Sequence, residues 1–425
     1  MTGAGPIVAL YDRGAVGPRE LVAGLRPLGP VWVVVAQTPE GRAALPVLRA
    51  GADRVLLDDS PERTDAILAG AGARGVVTFS ERCVLRRAGL AVHLALEAAA
   101  AREPVLVDKA LQGERLAAAG LPTPRRTEVA SAEDWPAALE HAGLPAVVKP
   151  VTGEGSRGVV RLDHAASCSS VAPSVGPFPW LVEQLWFGED LPPPYAGYVS
   201  VEAMVVDEDV RPLAVTGKLR LVPPFRETGQ CWPAPIDSET HDTVVEVAVR
   251  AARALGPHRG LTHTEIILTP DGPRVVEVNG RCGGNQAELA RLTSGVDLVT
   301  VAGTLSSGAF PELAGLLSDR GDDVIVQWMT PAPPEPFVLR GARGHQDPDP
   351  AVVSARCTQP FDTEVVPGVQ TSPLDLVTFR VARHEDAAEV LAAIRDRLFF
   401  DLETRSGRRW WSAAELAAAE TPRTA

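Results

Sequence analysis

The chain has 425 residues, 45% hydrophobic and 22% charged, enough for about three domains of ordinary size with well-filled cores. Its net charge of -13 disfavours nonspecific nucleic-acid binding. No apolar run reaches 18 residues and MTGAGPIVALYDRG has no basic stretch before an apolar core, so neither a membrane span nor a secretory signal is expected and the location is read as cytoplasmic. Cys83, Cys168, Cys231, Cys282 and Cys357 are scattered and form no C-x-x-C pair, which argues against a disulfide framework and a structural zinc site. Lys plus Arg total 41, yet only Lys109, Lys149 and Lys218 are lysines. Where arginine supplies nearly all positive charge, a retained lysine suggests a place that wants a compact ammonium, such as a phosphate contact.

Ile7–Tyr11, Val31–Ala36 and Gly75–Phe79 are apolar or β-branched runs that predict strands, and Thr38-Pro39 and Ser60-Pro61 predict helix N-caps followed by proline at the first helical position. The alternation is that of an open βαβ sheet. Its first turn, Asp12-Arg13-Gly14-Ala15-Val16-Gly17, lacks the G-x-G-x-x-G of a dinucleotide site. A helix is expected over Ser80–Ala98, and a second one ending near Gly120, before the stop signal Leu121-Pro122-Thr123-Pro124.

The literal G-x-G-x-x-G match is Gly153-Glu154-Gly155-Ser156-Arg157-Gly158. A Rossmann turn is followed by a helix, whereas Val159-Val160-Arg161-Leu162 continues as strand, so a hairpin tip is expected. Such a tip is either an ordinary glycine-rich turn or a mobile cover whose N–H groups fold over nucleotide phosphates, and Lys149 on the incoming strand favours the cover. No G-x-x-x-x-G-K-[ST] occurs, since Lys218 is followed by Leu219, and H-R-D and D-F-G are absent; P-loop and protein-kinase readings fail.

Thr269-Pro270-Asp271-Gly272-Pro273 is turn chemistry between two alternating β-branched runs, LTHTEIIL and RVVEVNGR. A turn symmetric about Asp271 sets Glu265 opposite Glu277, His263 opposite Asn279 and Leu261 opposite Arg281 on one face, with Ile266, Leu268, Val276 and Val278 on the core face. Two carboxylates directly across a ladder repel, and a divalent cation removes the conflict. Glu265, Glu277 and Asn279 with nucleotide phosphates make an Mg²⁺ oxygen set, and Arg281 is placed to hold a carboxylate or phosphoryl group. A solvated charged face is the plainer alternative. His263 is either a neutral substrate contact, which its place opposite Asn279 favours, or a framework histidine. Cys282 reads as a small buried thiol rather than a nucleophile, and Trp180, Trp186 and Trp232 as packing residues.

Beyond residue 310, Val324–Thr330, a proline-rich stretch, strands near Val352–Cys357 and Val377–Val381 and a helix over Glu385–Leu398 predict a small α+β unit, with a fraying tail from Ser412.

In these motifs, in order, the chain resembles the ATP-grasp superfamily and its carboxylate–amine ligases of the L-amino-acid ligase type: Thr78-Phe79-Ser80-Glu81, Asp108-Lys109, Val148-Lys149-Pro150 with the glycine loop, Leu181-Val182-Glu183-Gln184, Ser200-Val201-Glu202, Thr262-His263-Thr264-Glu265 and Glu277-Val278-Asn279-Gly280-Arg281. The resemblance implies an ATP-grasp fold of mixed α/β and α+β domains: a βαβ domain over 1–107, a lid subdomain over 108–182, a larger subdomain with the metal site over 183–310 and a C-terminal α+β unit over 311–425. It implies ATP and Mg²⁺, with Mn²⁺ as a substitute, and small-molecule carboxylate and amine substrates that form an amide or peptide bond; no nucleic-acid or membrane partner is expected, and a homodimer is compatible with the sequence. By the resemblance Lys109 and Lys149 contact the phosphates, and Gly153, Gly155, Ser156 and Gly158 belong to the covering loop. Glu183, Gln184 and Leu185 form the adenine-binding edge, and Lys218 is a further phosphate-facing cation. Glu265, Glu277 and Asn279 bind Mg²⁺, Arg281 stabilises an acyl phosphate, and His263 with the backbone of Gly283 and Gly284 lines the carboxylate pocket. The family's acidic ribose contact is replaced by Tyr198, which leaves Glu189 as the substitute candidate. A non-amine acceptor, or a noncatalytic nucleotide-binding module, is the alternative reading.

Overall fold

The computed structural model describes residues 5–98, 104–313, 315–317, 323–346, 349–366 and 371–419. At the N-terminus β1 (Ile7–Tyr11), β2 (Val31–Val35), β3 (Arg54–Leu57) and β4 (Gly75–Thr78) form a parallel sheet in the order β3-β2-β1-β4, the expected βαβ layout. Thr38 caps α2 (Pro39–Gly51) by accepting from Gly41 N–H, and Ser60 precedes α3 (Pro61–Gly70) without a side-chain cap bond. The helix expected over Ser80–Ala98 is shorter. It begins as a 3₁₀ turn at Glu81–Cys83 and runs as α4 over Val84–His93, ended by Leu94 and by Ala95 in the left-handed region at φ 56°.

After α5 (Lys109–Ala118), β5 (Arg126–Val129), β6 (Ala146–Pro150), β7 (Val160–Leu162) and β8 (Trp180–Gln184) form an antiparallel sheet in the order β5-β8-β6-β7. The β6–β7 pair places residues 151–159 at a hairpin tip, as the strand-after-glycine pattern requires.

The central sheet has eight strands in the order β13-β12-β9-β10-β11-β14-β18-β16. Its first part is β9 (Tyr195–Asp207), β10 (Asp209–Leu219), β11 (Gly229–Trp232), β12 (His258–Thr269) and β13 (Gly272–Asn279). The remaining strands, β14 (Val324–Trp328), β16 (Val352–Cys357) and β18 (Asp375–Val381), come from beyond residue 310 and join the same sheet through β11–β14 pairing. One face carries Val199, Val201, Val215, Ile266, Val275 and Val278, which pack on Val244, Ala248 and Ala251 of α8 (Ser238–Ala254). Each of these valine and isoleucine side chains, withdrawn from water, contributes about 1.5–3 kcal/mol. That apolar face leaves the opposite face for polar groups.

The register of the β12–β13 hairpin differs from a turn symmetric about Asp271. Thr269 pairs with Gly272, closing a two-residue turn, and a bulge between Glu265 and Ile266 then adds one residue on β13, so that Glu265 still faces Glu277 and His263 still faces Asn279. The bulge corrects one expectation. Val275, not Val276, is the buried core residue.

The rest of the C-terminal part forms a second sheet, β17-β15-β19-β20, from β15 (Phe337–Arg343), β17 (Glu364–Val365), β19 (Phe399–Thr404) and β20 (Gly407–Ser412), packed with α11 (Ala387–Arg397) and α12 (Ala413–Ala419). The tail does not fray at Ser412: Ala413 and Leu416 are buried, and only residues 420–425 of that expectation lie outside the described chain. Among the described residues no helix is long and apolar enough to cross a membrane.

Candidate active site

Strand register assembles the polar face of the central sheet. Glu202, His263 and Asn279 stand side by side across β9, β12 and β13, and Ser200, Glu265 and Glu277 form the adjacent row, extended by Thr216 on β10. Lys218 follows on β10, opposite Gln230 of β11. The groups partner one another closely. Glu202 is fully buried, grips Nδ1 of His263 and accepts from Gly283 N–H at 3.2 Å, while His263 Nε2 is 3.5 Å from Glu265. Gly283 is required here, because a Cβ would stand 2.5 Å from the His263 ring. Asn279 Nδ2 donates to Glu277 at 3.0 Å, and Glu277 also meets Lys109 Nζ at 3.3 Å.

The charge balance follows from these contacts. Burial opposes the His263 imidazolium, but the charge and hydrogen bond of Glu202, with Glu265, outweigh it and raise the pKa to about 9. Its bonds to Glu202 and Glu265 thus favour the protonated imidazolium. Burial likewise works against Glu277, yet Lys109, Lys149 and the Asn279 amide hold its carboxyl well below the ordinary range. Lys218, 3% exposed, keeps its proton because Glu227 and Glu265 outweigh burial, and it lies 3.3 Å from Glu227 and 3.4 Å from Gln230 Oε1. Arg281 donates to Glu81 at 2.8 Å and to the Cys282 carbonyl at 3.0 Å. Burial raises the Cys282 thiol far above neutrality, in keeping with a space-filling role.

Lys109 is the first residue of α5, whose N-cap Asp108 accepts from Leu111 N–H at 2.9 Å. Lys109 Nζ donates to Gly153 O at 2.8 Å, so one ammonium touches both the glycine loop and Glu277. Lys149 is buried and meets Glu183 at 2.6 Å, with Arg126 3.4 Å from the same carboxylate. The loop turns through left-handed backbone at Gly155, Ser156 and Gly158. Ser156 is the only non-glycine of the three, and its hydroxyl donates to Phe225 O at 2.8 Å. Gln184 and Leu185 donate their N–H groups to Arg125 and Pro145, so a base would meet other atoms of that edge.

Glu189 stands apart: its N–H donates to Leu268 O, and its side chain is exposed on the segment before β9. Tyr198 presents a buried hydroxyl with no hydrogen-bond partner. Gly284 contributes its carbonyl, which accepts from Gln230 at 2.7 Å. Trp180 and Trp232 are fully buried packing residues, the former edge-on to Trp135 and the latter bonded to Thr216 and Gln286; Trp186 lies under Arg274.

Three further residues belong to the cluster. Glu81 and Glu202 sit inside sequence motifs but carried no assigned role, and Glu227, in the loop between β10 and β11, had no motif at all. Lys218 lowers the Glu227 carboxyl most, with His263 and Arg281 adding to the effect, so its charge faces the center of the site.

Residues 106–285, which hold every one of these groups except Glu81, match the ATP-grasp domain family. The chain carries an ATP-grasp domain. Beyond that domain the chain shares its fold with the crystal structure of L-amino acid ligase from Bacillus licheniformis, on which it superposes with a TM-score of 0.75 at 19% identity, covering 93% of this chain and 98% of that one. The uncharacterized protein y4rH of Sinorhizobium fredii is 34% identical over 201 residues, 45% of this chain and 40% of that protein. Alanine–anticapsin ligase of Bacillus subtilis is 26% identical over 248 residues, 53% of this chain and 52% of that protein. The chain thus spans about half, or less, of the length of these curated relatives.

Among the described residues no three His, Cys, Asp or Glu side chains form a metal-holding group by themselves. The ATP-grasp cluster nevertheless has the donor chemistry for Mg²⁺. Glu265 faces Glu277, the Asn279 amide nitrogen is turned to Glu277, which leaves its Oδ1 able to accept a cation, and phosphates would complete the set.

Proposed function

We propose that this ATP-grasp protein is an ADP-forming ligase that joins a carboxylate to an amine, with amino acids or amino-acid-like molecules as substrates. The observation that carries the reading is the row of Glu265 and Glu277 beside Asn279, each carboxylate held near a cation, on the same sheet face as Lys218 and near Arg281. In the proposed reaction a substrate carboxylate oxygen attacks the γ-phosphorus of ATP and ADP leaves. The amine nitrogen then attacks the acyl phosphate carbon, phosphate leaves with the electron pair of the broken C–O bond, and the amine's proton passes to solvent or a carboxylate.

The protein's contribution is position and charge. Lys109 and Lys149 would hold phosphate oxygens from the α5 and β6 side, and Lys218 and Arg281 would balance negative charge on the transferring group and on the acyl phosphate. Glu265, Glu277 and Asn279 would hold Mg²⁺, which supplies charge neutralisation at the β- and γ-phosphates. His263, fixed by Glu202, and the Gly283–Gly284 backbone would form the wall against which the carboxylate substrate rests. The loop over 151–159 would exclude water, which otherwise hydrolyses the mixed anhydride.

The test is ADP release over a panel of amino-acid pairs with product masses read in parallel. With an ¹⁸O-labelled carboxylate, label must appear in the released phosphate. Amide accumulating without label in phosphate would rule the mechanism out.

A further inference from the structure

The tip of the glycine loop rests on a seat that the C-terminal part of the chain helps to build. Thr371 N–H donates to Gly155 O at 3.2 Å. The same residue's hydroxyl oxygen accepts from Glu227 N–H at 3.1 Å. One residue further along the loop, Ser156 Oγ donates to Phe225 O at 2.8 Å. Thr371 therefore touches both the loop that would cover the nucleotide and the backbone of the residue whose carboxylate faces Lys218. Its footing is fixed: Pro373 bridges to Pro331, Leu374 N–H donates to Thr330 O at 2.9 Å, and Thr358 N–H donates to Leu374 O at 2.9 Å. Thr330 N–H is bonded in turn to the fully buried Asp375 at 3.0 Å.

We propose that Thr371 is a positioning residue, a latch supplied from beyond residue 310 that holds the closed glycine loop and the Glu227 segment in one arrangement. The inference rests on the nucleotide reading of the loop. Its two bonds separate two functions. The N–H bond to Gly155 holds the loop, so losing it weakens nucleotide retention. The hydroxyl bond to Glu227 holds the wall of the site near Lys218, so losing it affects the carboxylate substrate while nucleotide affinity is unchanged. Neither effect is expected of a residue that only supports the C-terminal fold, because that role would lower stability without dividing the two ligands.

Three proteins are compared by calorimetric titration with ADP and MgCl₂ and by hydrogen exchange over residues 151–160: wild type, Thr371→Pro, which lacks the N–H, and Thr371→Val, which lacks only the hydroxyl. Thr371→Pro should bind MgADP roughly two- to tenfold more weakly, the range of one hydrogen bond, and lose nucleotide-dependent protection of the loop. Thr371→Val should bind MgADP as wild type does and, in steady-state assays, show a raised KM for the carboxylate with little change in that for ATP. Ser156→Ala, which cuts the neighbouring tie to Phe225, should mimic Thr371→Pro and serves where the proline variant does not fold. Wild-type-like MgADP affinity and loop protection in both Thr371→Pro and Ser156→Ala would overturn the latch, whereas failure of wild type to bind MgADP would overturn the nucleotide reading and the latch with it.

Discussion

Glu277 is the residue on which most of the site converges, since Lys109, Asn279 and the facing Glu265 all meet it. Glu277→Gln keeps the shape and removes the charge, so ADP release should fall at least a hundredfold at ordinary Mg²⁺, with the far-UV circular dichroism of the wild type; full activity would sink the metal assignment. Retained lysines give a second prediction. Lys109→Arg and Lys149→Arg preserve charge but replace a point ammonium by a longer planar fork, and each should raise the KM for ATP severalfold. Near-normal ATP kinetics in both would mark their retention as chance. His263 adds a pH signature. Its folded-state pKa is raised to about 9 from an ordinary value near 6.5, so the Glu202 pairing stabilises fully below about pH 6.5 and is lost as pH rises through 9. The wild type should therefore lose melting temperature between pH 7 and 9.5, and His263→Gln, destabilised at pH 7, should lose much less over that range. Parallel slopes would mean that His263 is not charged in the folded protein.

At the scale of elements, the β12–β13 hairpin shows what a sequence can and cannot specify. Alternation and turn residues put Glu265 and Glu277 on one face, but their direct pairing depends on the bulge. They did not reveal the tighter turn or the compensating bulge, since a bulge leaves composition unchanged and is decided by how Val275 packs under α8. Val275→Ala should thus cost about 2 kcal/mol in urea unfolding and Val276→Ala less than half of that, and the reverse order would contradict the bulge. The glycine loop was legible as a hairpin because strand, not helix, follows it. Its seat was not legible, since Phe225 and Glu227 in the β10–β11 connection and Thr371 from beyond residue 310 come from two distant parts of the chain and carry no shared motif. Glu227 escaped notice for the same reason: its role depends on Lys218, nine residues earlier on the neighboring strand, and the proline-rich loop between them has no periodicity to read.

For the whole molecule, the proposed acyl phosphate mechanism makes turnover, though not the first phosphoryl transfer, await the second substrate. On that reading, with a carboxylate substrate alone the protein should release ADP slowly and accelerate when the correct amine is added, and Arg281→Ala should lose that acceleration far more than it loses MgADP affinity. Equal loss of both would make Arg281 a simple binding group. The element order also has a bearing on how this protein can be cut. A chain ended near residue 310 would keep every residue of the proposed chemistry yet strip β14, β18 and β16 from the central sheet. β11, with Trp232 and Cys231 buried, would then become an open edge whose unpaired backbone invites other chains to add to it. The part that holds the proposed site is therefore not a portable module. Shuffling by recombination, or truncation for expression, should raise aggregation unless the graft brought strands of its own to close that seam.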